Sequence, residues 1–234
     1  MSLKHLYENR FPEAERRKKA AIWRVLVRAV FSRWIEPEST VVDLGAGYCE
    51  FINAVEARRR IAIDLNPDTA ASAAPGVEVH AAPVERLSFI ADEEVDVVFT
   101  SNFFEHLPTK ALLTATVEEA LRVLKPGGRL IAMGPNVRLV PGAYWDYFDH
   151  VLPLSERSLA ELLDLCGFEL ERVEARFLPY TTKSAIPQWP WLVRLYLAAR
   201  PLSSFLMGKQ FLVIARKPAT AGQRSDSRSV CGAS

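Results

Sequence analysis

The chain has 234 residues, of which 49% are hydrophobic and 24% charged, and its formal net charge is +1. That composition suits one α/β domain with a sizeable core, and it gives no bulk electrostatic pull toward nucleic acid or an anionic membrane. The three cysteines (Cys49, Cys166, Cys231) have neither disulfide-framework nor metal-ligand spacing, and Met1–His5 lacks an apolar signal core, so a reducing, cytoplasmic setting without a metal centre is expected.

Residues 1–36 read as a basic, helical N-terminal cap. Pro12 and the acids Glu13 and Glu15 mark a helix start, and Ile22, Leu26, Ala29, Val30 and Trp34 recur at helical spacing. Two readings stand for this segment: an amphipathic helix with a solvated basic face, or a lid from which Tyr7 or Arg10 reaches a ligand. Glu36-Pro37-Glu38-Ser39 ends it.

The stretch Val41-Val42-Asp43-Leu44-Gly45-Ala46-Gly47-Tyr48-Cys49-Glu50-Phe51-Ile52 follows. It reads as a β-branched buried strand ending near an acid, a glycine turn and the start of a helix, whose unpaired N–H groups would face a ligand over the turn. Strands and helices then alternate. Strands are expected at Arg60–Asp64, Val77–His80, Val95–Thr100 and Arg129–Met133, with a short helix after Pro67 and a longer one over Lys110–Leu124, stopped by Lys125-Pro126-Gly127-Gly128. Such alternation implies right-handed crossovers and a mostly parallel sheet with helices on both faces.

The last third departs from that rhythm. Residues 134–154 form an aromatic, turn-rich insert, Ser155 is an N-cap candidate for a helix ended by Gly167, and Phe168–Phe177 and Gln210–Arg216 read as strands. Between those strands lies a second insert, residues 178–209, rich in Pro, Trp, Leu and Arg. Its apolar run is interrupted too often to span a membrane, though Trp189–Leu197 could rest on a membrane surface, cap the sheet end or form a dimer contact. Residues 1–217 are thus expected to be one domain, with 218–234 a disordered tail.

A glycine turn after a strand is shared by several nucleotide-binding chemistries. Here an acid, Asp43, precedes the glycines, and a second acid, Asp64, closes the next strand, where a carboxylate can accept ribose hydroxyl protons. VVDLGAGYCEF, IAIDLNP, VDVVFTSNFFEHL and LRVLKPGGRLI occur in that order over residues 40–133. On these motifs the sequence resembles the class I S-adenosylmethionine-dependent methyltransferases, in the subgroup with small-molecule substrates, and GFELERVEARF and KQFLVIARK fit that family's antiparallel finish.

The resemblance implies a Rossmann-like, seven-stranded sheet with an antiparallel last strand, S-adenosyl-L-methionine as cofactor, and methyl transfer to oxygen or nitrogen of a small molecule, a sugar or lipid-linked acceptor among the candidates. By position it implies that Asp43 and the Gly45-Ala46-Gly47 backbone hold the methionine part, that Asp64 holds the ribose and that Leu65 lies against the adenine. It further implies a Val84 main-chain contact at the adenine edge, with Ser101 and Asn102 near the transferring methyl. Two departures are visible: Cys49 replaces the third glycine, and Pro83 replaces the acid on the adenine amino group.

His106 and His150 are candidate general bases, His106 having a helix-start or loop position as its alternative. Tyr144, Trp145, Asp146 and Asp149 are candidate acceptor contacts, with loop packing as theirs. The rival functions are a non-catalytic cofactor-binding module and a nicotinamide-dependent oxidoreductase.

Overall fold

The computed structural model describes residues 13–180 and 189–219. Tyr7, Arg10 and nearly all of the expected tail lie outside those residues. The strands are β1 (Thr40–Leu44), β2 (Arg59–Ile63), β3 (Val77–His80), β4 (Val95–Ser101), β5 (Leu124–Pro135), β6 (Glu169–Glu174) and β7 (Gln210–Arg216). The helices are α1 (Glu13–Ala29), α2 (Asp68–Ser72), α3 (Lys110–Val123), α4 (Glu156–Leu165), α5 (Pro190–Ala198) and α6 (Leu202–Met207).

One seven-stranded sheet runs in the order β3-β2-β1-β4-β5-β7-β6. β1 pairs in parallel with β2 and β4, β2 with β3, and β4 with β5, while β7 runs antiparallel to both β5 and β6. The expected Rossmann-like sheet with an antiparallel last strand is therefore present. The strand order reverses between β1 and β4, the place where open α/β sheets take ligands at the carboxyl ends of their strands.

Successive strand residues point to opposite faces. Val42, Leu44, Ile61, Ile63, Val98, Leu130 and Val213 pack beneath α3 and α4 through Leu113, Val117, Leu159 and Leu163. Val41, Ala62, Val97, Phe99, Ile131, Leu212 and Ile214 pack against Leu26, Val27, Val30 and Phe31 of the α1 segment, joined by Val193 and Leu197 of α5. Each fully buried side chain of this kind contributes about 1.5–3 kcal/mol. In the N-terminal segment the solvated-basic-face reading fits Arg17 and Lys18, which are exposed.

Caps fix the helices beside the site. The Thr109 hydroxyl accepts from the Leu112 amide at 3.1 Å and starts α3. Ser155 and Ser158 form a reciprocal capping box for α4, and the turn after it uses Gly167 at φ +103. At the opposite end of the sheet, Asp96 accepts from the Thr40 amide and, through both oxygens, from Lys125 Nζ, each at 2.8 Å. The Asp of VDVVF and the Lys of LKPGG thus fasten β1, β4 and β5 together.

Two expectations need correcting. The glycine turn leads to no α-helix: only a 3-10 turn, Ile52–Ala54, precedes β2. Gly45, Gly47 and Cys49 all take left-handed φ (71°, 51° and 60°), which no helix start accommodates. Phe51 then turns inward to stack on Phe99 with ring centroids 3.6 Å apart. β5 also begins earlier than expected, at Leu124, which pairs with Val95 before a register shift that absorbs Lys125–Gly128.

Candidate active site

The site lies over the carboxyl ends of β1, β2, β4 and β5. On its β1–β2 side, Gly45 and Ala46 donate their amide N–H groups to the Ile63 carbonyl at 2.9 and 3.2 Å, and the Cys49 amide donates to Ala46 O at 2.7 Å. The Gly47 amide donates to Asp64 Oδ2 at 2.7 Å, and the Asn66 amide donates to Asp64 Oδ1 at the same distance. These four loop amides are spent within the protein, so they are not the unpaired, ligand-facing N–H groups that a helix start after the turn is expected to supply.

What the loop presents instead is a group of acids. Asp43 is 3% exposed, and its pKa stands well above the ordinary carboxylate range, through burial first and then through the neighbouring Asp64 and Glu50. Burial also raises Asp64, against the opposing hydrogen bonds from the Asn66 and Gly47 amides. Glu50 is raised by burial too, with Lys19 and Arg16 of α1 pulling it back. Arg16 lies over the Tyr48 ring, 4.6 Å from its centre. Two acids crowded at the strand ends give up their protons more readily beside a cation and less readily beside a diphosphate, so they suit a cationic ligand.

Gly45 is required where it stands. A Cβ there would sit 2.3 Å from the Phe103 ring, at a φ that disfavours any side chain. Cys49 adopts the glycine-like conformation of the position it fills, is wholly buried, and directs Sγ at the Thr69 carbonyl, 3.6 Å away. Burial pushes its thiol up to about 12, which makes it a packing group. Leu65 is 59% exposed at the end of β2, as a side chain offering an apolar face to a ligand ring must be. Val84 is buried. Ser101 and Asn102 end β4, where the Asn102 side-chain amide donates to Ser101 Oγ at 2.8 Å and Asn102 takes φ +50.

On the β4–β5 side the chain brings together residues far apart in sequence. The Glu105 carbonyl accepts the Val151 and Leu152 amides at 2.8 and 3.0 Å. This fastens the loop after β5 to the 3-10 turn Phe104–His106. The result is a cluster of Glu105, His106 and His150, whose ligand atoms all lie within 4.8 Å of one another. Glu105 is 2% exposed, and burial pushes its carboxyl up to about 7, with His106 opposing the shift. His106 Nδ1 lies 2.9 Å from the Asp149 carbonyl and 3.3 Å from its carboxylate. A carbonyl only accepts, so Nδ1 carries the proton and the lone pair of the neutral ring sits on Nε2.

The aromatic insert divides by burial. Tyr144 is fully buried, and its hydroxyl donates to the Leu152 carbonyl. It packs against His150 at 4.7 Å and so supports the loop from beneath. Trp145 and Asp146 are exposed, and Asp149 is half-buried at His106. The sequence did not single out Glu105 or Phe103; the only signal was their place in the FFEH run that closes β4.

The described residues fit S-adenosyl-L-methionine in kind. There is an acidic strand end whose carboxyls a positive charge draws into their ionised form, a fixed carboxylate with spare lone pairs for its ribose, and an exposed apolar side chain for its base. Residues 42–132 match the family model described as "Methyltransferase domain". A protein of Mycolicibacterium smegmatis, named as a probable S-adenosylmethionine-dependent methyltransferase, is 34% identical over 132 residues. That match covers 54% of this chain and 50% of the relative, so the chain spans about half the length of the curated relative it matches.

Among solved structures, a SAM-dependent methyltransferase of Thermotoga maritima, titled a possible histamine N-methyltransferase, superposes with a TM-score of 0.65 at 18% identity, over 92% of this chain and 100% of that one. A SAM-dependent methyltransferase of Archaeoglobus fulgidus gives 0.63 at 19% identity, with 92% and 100% covered. At such identities these two likenesses speak for the fold. Joined to the sequence match, they show that this chain has the fold of S-adenosylmethionine-dependent methyltransferases and that residues 42–132 are similar to a methyltransferase domain.

Proposed function

We propose that this protein transfers a methyl group from S-adenosyl-L-methionine to an oxygen or nitrogen atom of a small-molecule acceptor. The observation that carries this reading is the pairing of two acids at neighbouring strand ends, Asp43 and Asp64, with a glycine turn whose Gly45, Ala46, Gly47 and Cys49 amides are already satisfied. It favours a sulfonium cofactor over a dinucleotide, whose diphosphate would need those amides and meet those acids.

When bound, the cofactor supplies a methyl group already activated by its positive sulfur. The chain's part is to bind, align and exclude water. Asp64 takes the ribose hydroxyls on the lone pairs left beside its two amide bonds. Leu65 lies against the adenine, with the Val84 main chain at the ring edge. Asp43 and the Gly45–Gly47 backbone surround the methionine part, and Ser101 and Asn102 line the floor.

Across from these, Glu105, His106 and His150 bind the reacting atom of the acceptor. Asp149 holds the proton on His106 Nδ1, which leaves the ring's lone pair on Nε2. Asp149, Trp145 and Asp146 edge the acceptor side, with Tyr144 holding their loop in place. The finer reading, a sugar or lipid-linked acceptor met at a membrane surface, draws support from Trp189, Trp191, Leu195, Phe205 and Leu206, all more than half exposed on or beside α5 and α6. No helix among the described residues is long and apolar enough to cross a membrane.

Calorimetry with S-adenosylhomocysteine and with NADH tests the donor. Binding of the first alone is expected, and binding of NADH in its place would refute the reading. Transfer of labelled methyl groups to a small-molecule extract, lost in Asp43→Ala, separates an enzyme from a non-catalytic binding module.

A further inference from the structure

We propose that Glu105, His106 and His150 form a binding site for one divalent transition-metal ion, at the carboxyl ends of β4 and β5. The site is built by the fold. The two bonds from Val151 and Leu152 to the Glu105 carbonyl set the loop that carries His150 directly against the turn that carries Glu105 and His106. The His106 and His150 rings stand 5.0 Å apart at 66°, and Tyr147 stacks on His150 with centroids 5.0 Å apart. Gly134 at the end of β5 leaves room for the carboxylate: a Cβ there would lie 3.4 Å from Glu105 Oε2.

The donor set selects the class of ion. Two imidazole nitrogens and one carboxylate suit zinc, iron(II), cobalt(II) or manganese(II), whereas calcium and magnesium prefer shells made of oxygen. The three ligand atoms lie within 4.8 Å of one another. Metal bonds of about 2.0–2.2 Å place such atoms within about 4 Å, so a small side-chain movement closes the set. His106 already has the second bond expected of a metal ligand, its Nδ1–H donating to the Asp149 carbonyl with the Asp149 carboxylate close by. That bond fixes the tautomer and leaves Nε2 for the ion.

A cation also gives the buried Glu105 carboxylate a partner in a setting where a lone charge is expensive. Three protein ligands leave coordination positions open. On the methyl-transfer reading, which this clause alone depends on, those positions take an acceptor oxygen. His106 and His150 then act as ligands, and the ion lowers the proton affinity of the oxygen it holds.

The test is titration of the full chain with cobalt(II), without S-adenosylmethionine, followed by the visible ligand-field absorption of cobalt. One cobalt per chain is expected, displaced by zinc. Affinity should fall about a hundredfold or more in Glu105→Gln and in His150→Gln, and His80→Gln should bind as the wild type does. S-adenosylhomocysteine calorimetry on each variant reports that the fold is intact, and it keeps failure of the donor site distinct from failure of the metal site. No stoichiometric cobalt band in the wild type, or equal binding by the Glu105 and His150 variants, would overturn the proposal. So would loss of the band in His80→Gln.

Discussion

Gly47 donates its amide N–H to Asp64 Oδ2 at 2.7 Å, joining the turn after β1 to the acid that closes β2. Asp64 is therefore both a strut of the loop and, in the proposed complex, the ribose acceptor. Asp64→Ala should weaken S-adenosylhomocysteine binding by about one to two orders of magnitude, as loss of charge-assisted hydrogen bonds of about 1.5–3 kcal/mol requires. Asp64→Asn keeps an acceptor for Gly47 and should lose less. Calorimetry on both variants checks the order, and equal losses would argue that the charge does no work there.

Asp43 couples the loop to pH. Its carboxyl is raised in the folded chain by burial and by Asp64 and Glu50, so the folded state holds a proton that the unfolded state has released. Its stabilising contribution is complete below the ordinary aspartate value and is lost as pH rises through the folded one. Asp43→Asn removes that loss. The ligand-free variant should melt at a higher temperature than the wild type near neutral pH, with the gap closing toward pH 4. Cofactor binding should weaken at the same time. Thermal melts from pH 4 to 8, with and without S-adenosylhomocysteine, test both outcomes.

Gly45→Ala should destabilise the chain by about 1–3 kcal/mol, from a left-handed φ and a Cβ driven into the Phe103 ring. Removing the ring in Gly45→Ala/Phe103→Ala should restore the steric part and leave the conformational part. A denaturant double-mutant cycle measures the coupling, and strictly additive losses would show that the contact is not felt.

Leu65 is the reverse case, an exposed apolar side chain whose neighbours give it little work in the fold. Leu65→Ser should leave the melting temperature of the ligand-free chain within about 1–2 °C, as exposed substitutions of ±0.5 kcal/mol imply. S-adenosylhomocysteine affinity should fall several-fold. A fall in stability without a fall in affinity would remove Leu65 from the adenine side.

Much of the sheet is legible in the chain because buried parallel strands must be continuous β-branched runs. Thr40–Leu44, Arg60–Asp64 and Val95–Thr100 announce themselves in this way, each within a residue of the strand found, and acids at the ends of two neighbouring strands mark the ligand edge. The segment after the glycine turn is not legible. Cys49-Glu50-Phe51-Ile52 has a composition that a helix would accept, and what prevents one is tertiary: a left-handed Cys49 and the stack of Phe51 on Phe99. The Glu105–His106–His150 cluster is hidden for a related reason, since main-chain bonds between distant segments create it and no spacing in the sequence records them. Lys125-Pro126-Gly127-Gly128 has the composition of a turn, yet the pairing of Leu124 with Val95 carries it into the sheet edge as an irregularity.

The loop that bears His150 hangs from the carbonyl oxygen of residue 105, a group every amino acid possesses. The side chain at that position is therefore uncoupled from the fastening. Descendants of this chain could exchange glutamate for an amide or an aliphatic residue and still deliver the same loop to the same place. Position 105 is thus a point where selection can rewrite reactivity without renegotiating architecture.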